Sequence, residues 1–214
     1  MIGSSRTPLV LLQSTVVLTT TNVSHTQPAA TSVVLTTTYV VHALQAGVGV
    51  VPVRWKAPAQ GHMKYNIDAA FSELRNRTGI SICLRDEGGV FVLAKTISFV
   101  GVYSVDIGEA LGLYHTLQWM SDMQLDNIDF EVDSESTRDA IYSGREDISE
   151  LGNIITGSWS LLSSKFNNSR VEFGRRQANV VAHTLAGETT FLASPIVYFH
   201  IPFCVETLII NEML

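Results

Sequence analysis

Three largely apolar segments, residues 63–72, Thr78–Arg85 and Val90–Phe99, follow one another with only short polar breaks. The second break, Asp86-Glu87-Gly88-Gly89, has the composition of a tight turn. A chain that begins this way is committed to an antiparallel meander. Afterwards the period changes. Ile107–Met123 carries Ala110, Leu113, Leu117 and Met120 on one helical stripe, and Ile128–Asp133 is again extended. Ser134–Tyr142 reads as a short helix, and residues 149–166 as a longer one with Leu151, Ile154, Ile155, Trp159 and Leu162 as its apolar positions. Ser169–Phe173 is a further strand, and a closing helix runs from Gln177 to about Thr190. The order β-β-β-α-β-α-α-β-α predicts an α/β fold, a mixed five-stranded sheet covered by helices.

The first of these strands reads Lys64-Tyr65-Asn66-Ile67-Asp68-Ala69-Ala70-Phe71. A strand this apolar belongs inside the sheet, yet it carries a carboxylate at its centre. Lys64 lies four residues away along an extended chain, too far to neutralise Asp68. A buried anion persists when a metal, a cation or hydrogen bonds compensate it. Two other acids stand at positions of interest: Glu109 in the first turn of the long helix, and Asp133 where the fourth strand turns into a helix. Each has a structural explanation. Asp106-Ile107-Gly108-Glu109 has the spacing of a helix capping box, and Asp133 before Ser134 suits a helix N-terminus. Three carboxylates brought together by the fold would instead hold hard cations, with Mg²⁺ the expected ion.

Charge is distributed unevenly. Residues 54–214 hold all 20 acidic side chains and all but Arg6 of the 14 basic ones, a net of −7. That disfavours a broad electrostatic grip on a nucleic-acid backbone and leaves room for a local basic patch. Residues 1–53 are of another character: Ser14-Thr15-Val16-Val17-Leu18-Thr19-Thr20-Thr21 recurs seventeen positions on as Thr31-Ser32-Val33-Val34-Leu35-Thr36-Thr37-Thr38. This low-complexity segment is expected to be poorly ordered, with organelle targeting as the second reading. It is short of the arginines of a typical organelle-targeting peptide, although it shares the lack of acids. The expected divisions are therefore 1–53, a domain over 54–192, and an apolar tail over 193–214. No run approaches the ~18 apolar residues of a membrane helix. Cys83 and Cys204 show no metal-ligand spacing, and Cys204 is expected to be buried. Without a demand for an oxidising compartment, a nuclear or cytoplasmic location is expected over secretion.

Six short stretches in order carry a resemblance. They are Trp55-Lys56; Lys64-Tyr65-Asn66-Ile67-Asp68; Gly79 with Leu84-Arg85-Asp86 and Gly89; Gly108-Glu109-Ala110-Leu111; Glu131-Val132-Asp133-Ser134; and Asn179-Val180-Val181-Ala182-His183-Thr184-Leu185-Ala186. Together they resemble the type 1 ribonuclease H domain, in the reverse-transcriptase-like form found in plants and in remnants of retroelements, over roughly Trp55 to Thr190. The resemblance implies a ribonuclease H-like fold that cuts the RNA strand of RNA–DNA hybrids with two Mg²⁺ ions, for which Mn²⁺ can substitute. Asp68, Glu109 and Asp133 match its metal ligands. His183 stands where the family has a fourth carboxylate, so weaker occupancy of the second ion and reduced cleavage are expected. His183 is counted with the catalytic set as a ligand or proton-transfer group. Asn66, Ser134, Arg175 and Arg176 are expected to contact substrate. The alternative is a catalytically weak or inactive nucleic-acid-binding or interaction module on the same fold.

Overall fold

The computed structural model describes residues 12–16, 37–41 and 53–213. In the first of two compact units, residues 1–51, the strands β1 (Leu12–Val16) and β2 (Thr37–Val41) pair antiparallel, Leu12 opposite Val41. The expectation for the remainder of residues 1–52 lies outside the described residues.

The second unit, Pro52–Leu214, begins with the meander β3 (Met63–Ser72), β4 (Arg77–Arg85) and β5 (Phe91–Val100). The turn between β4 and β5 forms as its residues dictate. Asp86 Oδ1 accepts from the amides of Gly88 (2.9 Å) and Val90 (2.8 Å), and Gly89 takes φ +82°, where a side chain would be strained. Helix α1 (Val105–Met123), strand β6 (Ile128–Val132), helices α2 (Glu135–Ser143) and α3 (Glu150–Lys165) and strand β7 (Arg170–Phe173) follow. A 3₁₀ turn at Arg176–Ala178 leads into α4 (Val180–Thr189).

The sheet has six strands, in the order β7-β6-β3-β4-β5-β8, not the five expected. The sixth comes from the apolar tail: β8 (Ile196–Tyr198) pairs antiparallel with the edge of β5, and Pro202 then opens a 3₁₀ turn before α5 (Glu206–Glu212). Cys204, in that turn, is exposed, because Val205 and Ile209 fill the inward positions.

Each face of the sheet has its own core. On one side Tyr65, Ile67, Ala69, Ile80 and Ile82 meet Leu113, Leu117 and Met120 of α1, all within one cluster that also takes in Leu162 of α3. Burying a leucine of this kind contributes about 2 kcal/mol. Trp159 of α3 is an exception to the expected apolar positions; it is half exposed. On the other side Cys83 and Ala94 pack against Val181 and Leu185 of α4 and Val205 and Ile209 of the tail. Alternation along β3 therefore sends Asn66 and Asp68 to the α4 side, away from the larger core.

Candidate active site

Asp68 sits at the centre of β3, only 1% exposed. Parallel pairing of β3 with β6 sets Ile67 beside Val132, so Asp133, the first residue past the end of β6, emerges alongside Asp68. Glu109 arrives from α1, which approaches the sheet closely because two of its residues lack a side chain. A Cβ at Gly108 would lie 2.5 Å from the Phe71 ring, and one at Gly112 would lie 3.0 Å from Ile67 Cγ2. The capping box that the Asp106–Glu109 spacing would allow does not form. Helix α1 starts two residues earlier than expected, with Ser104 at the cap, and Glu109 is buried instead of reaching back to the helix end.

One ligand atom from each of Asp68, Glu109 and Asp133 lies within 4.8 Å of the others. Asp68 Oδ1 and Glu109 Oε2 are buried without a hydrogen-bond partner. Burial, followed by repulsion from Asp133 and Glu109, pushes the Asp68 carboxyl far above the usual range, and Arg176 opposes this. Burial and Asp133 push Glu109 up to about 8, against the pull of the Ala69 amide and Arg176. Crowded, desolvated carboxylates with free lone pairs are the donor set that a hard divalent cation requires, and they fit one.

His183 reaches the same place from α4. Asn179 donates from Nδ2 to the Ile67 carbonyl (2.9 Å), tying the start of α4 to β3 beside Asp68. One helical turn on, His183 Nδ1 lies 2.9 Å from Asp68 Oδ2, and Arg176 Nη2 lies 3.0 and 3.2 Å from the two ring nitrogens. Burial and Arg176 hold the imidazole below its ordinary pKa, against Asp133. A neutral ring can donate from Nδ1 to an ionised Asp68 while Nε2 accepts from Arg176.

A cavity of about 650 Å³ opens over these groups, lined among others by Glu109, Asp133, Ser134, Arg176 and His183. Ser134 also caps α2, accepting from the Thr137 amide at 3.2 Å. Two of the expected substrate-contacting residues lie elsewhere. Asn66 is fully buried in a polar network, accepting from Trp55 Nε1 (2.7 Å) and an Arg85 Nη (2.8 Å) and donating to Glu131 Oε1 (2.8 Å). With its amide so engaged, Asn66 presents nothing to a ligand. Arg175 is exposed ahead of the 3₁₀ turn and is not part of the cavity wall. Sequence reasoning overlooked Ser136, whose hydroxyl bridges Ser134 Oγ (3.0 Å) and Asp106 Oδ1 (3.3 Å) at the cavity rim. Its only signal was its place in the first turn of the helix after Asp133.

Known structures share this architecture. An RNase H1 from the halophilic archaeon Halobacterium salinarum NRC-1 superposes with a TM-score of 0.53 at 20% identity, over 60% of this chain and 97% of its own. The N-terminal RNase H domain of a Mycobacterium tuberculosis protein gives 0.52 at 14%, over 61% and 94%. LC11-RNase H1, in complex with RNA/DNA hybrid, gives 0.52 at 15%, over 59% and 94%. At these identities the likeness establishes the fold. No curated protein matches the sequence. Residues 66–189, more than half of the chain and the part containing all three carboxylates and His183, match the family described as reverse transcriptase-like. The chain carries an RNase H-like domain and belongs to the reverse transcriptase-like family.

Proposed function

We propose that the protein is a divalent-metal-dependent nuclease that cuts the RNA strand of RNA–DNA hybrids. The observation that carries this reading is the carboxylate cluster, with two buried oxygens lacking any partner, where the parallel pairing of β3 with β6 ends. Asp68, Glu109 and Asp133 would hold the cation, with Mg²⁺ expected and Mn²⁺ a substitute. When bound, a divalent cation lowers the pKa of water and balances charge on a phosphate under attack. The chain itself provides orientation. Asp68 is fixed by β3, Asp133 by the turn from β6 into α2, and Glu109 by the close seating of α1.

Substrate contact falls to the cavity rim. Ser134 offers a hydroxyl and Arg176 a guanidinium, a fork suited to phosphate oxygens. With a net of −7 over residues 54–214, attraction to the backbone must be local.

A second reading, a weak or inactive binding module on the same fold, gains support from His183, which brings no negative charge to the fourth position. The test is a hybrid with either the RNA or the DNA strand end-labelled, incubated with Mg²⁺ or Mn²⁺. The nuclease reading expects cleavage of the RNA label alone, stopped by EDTA. Binding without cleavage under every condition would establish the module instead.

A further inference from the structure

The two oxygens of Asp68 have different surroundings. Oδ1 is buried without a partner, whereas Oδ2 faces His183 Nδ1 at 2.9 Å. In the two-oxygen bridging mode, a carboxylate that serves two cations offers one oxygen to each. Here the second oxygen is already covered by a ring that is covered in turn by Arg176, at 3.0 and 3.2 Å from its nitrogens. His183 is also absent from the group whose ligand atoms converge within 4.8 Å.

We propose that Arg176, docked on His183, stands in for a second cation, so that the carboxylate trio takes a single divalent ion and Arg176 meets a substrate phosphate. This deepens the metal-site reading above and rests on it. Charge supports the assignment. Three carboxylates against one divalent ion and one guanidinium come to zero, whereas a second ion would add two uncompensated positive charges in a partly buried site. Two further acids line the rim, Asp106 and Glu135; both are exposed, and Asp106 accepts from the Ser136 hydroxyl while Glu135 pairs with Arg138, so neither adds to the buried charge. Guanidinium also suits the task, because its planar fork pairs with two phosphate oxygens at once.

Counting bound Mn²⁺ by electron paramagnetic resonance on the full chain tests this without reference to activity. Wild type is expected to bind one Mn²⁺, Asp68→Asn none, and His183→Asp two. The His183 side chain is 40% exposed and Arg176 is exposed, so variants there retain the fold, as circular dichroism would verify. Two ions on wild type, or one on His183→Asp, would overturn the proposal and leave the metal site standing. No ion on wild type would remove the metal site itself. In a separate measurement, fluorescence anisotropy of a labelled RNA–DNA hybrid in EDTA, Arg176→Ala is expected to weaken binding about tenfold, and Arg176→Lys less. Unchanged affinity in Arg176→Ala would overturn the phosphate role.

Discussion

His183 Nδ1 lies 2.9 Å from Asp68 Oδ2, a contact between residues 115 positions apart that joins α4 to the central strand. It occupies one oxygen of the carboxylate on which the site depends. The fold is thereby closed over the site by a neutral donor at a position where, by resemblance, the family places a carboxylate. The contact accounts for a site that keeps the geometry of a metal centre while having less negative charge to hold it together.

Replacing that donor should restore the charge. His183→Asp is expected to raise the single-turnover rate of hybrid cleavage at least about tenfold, or 1.4 kcal/mol in the barrier. Rates measured side by side at one Mg²⁺ concentration give the answer. An equal or slower rate would separate His183 from the catalytic set.

Stability should depend on pH in a direction set by the same crowding. Glu109 is raised from 4.5 to about 8 in the folded chain, and Asp68 shifts the same way. Between pH 4.5 and about 8 the folded state holds protons that the unfolded state has released. In EDTA, stability should therefore be greatest at the acid end of this window and decline as pH rises through it, by roughly 5–10 °C in Tm. Saturating Mg²⁺ should flatten the decline, since a cation favours the ionised carboxylates. Scanning calorimetry with and without Mg²⁺ measures both curves.

Gly108 holds the helix where Glu109 can reach the cluster. Gly108→Ala would press a methyl group into the Phe71 ring, 2.5 Å away, and is expected to cost about 1–3 kcal/mol. It should also weaken Mn²⁺ binding, because α1 must lift. Urea denaturation and a metal titration on the same preparation read the two effects together, and a stable variant with intact metal affinity would contradict this account of the seating.

The tail should matter to stability through Arg85. That side chain is fully buried, stacked 3.7 Å from the Trp55 ring centroid and paired with Glu212 of α5. Glu212→Ala leaves the guanidinium with Asn66 and Trp55 alone and is expected to cost about 3 kcal/mol. Denaturant midpoints of the variant and wild type check it.

Much of this architecture was legible because local pattern and tertiary role agree. Strand β3 matches its expected span, since a run this apolar between polar breaks has one stable use. The stripe Ala110, Leu113, Leu117 and Met120 is fully buried for the same reason. Where the sequence misled, the deciding interaction was long-range. The Asp106–Glu109 spacing fits a cap, but close approach of two glycines to β3 draws Glu109 inward. Asn66 looked available beside Asp68, yet Trp55, Arg85 and Glu131 converge on it from three other places in the chain. The sixth strand is only three residues long, too short to show a period, and forms because the edge of β5 is there to receive it.

Whether Asp68 holds a catalytic cation is decided by side-by-side cleavage of an RNA–DNA hybrid by wild type and Asp68→Asn, purified identically and assayed with Mg²⁺ and with Mn²⁺. Wild type is expected to cleave the RNA strand, and the variant to lose at least about 100-fold of that activity. Equal cleavage by both proteins, or none by wild type with either metal, would contradict that role.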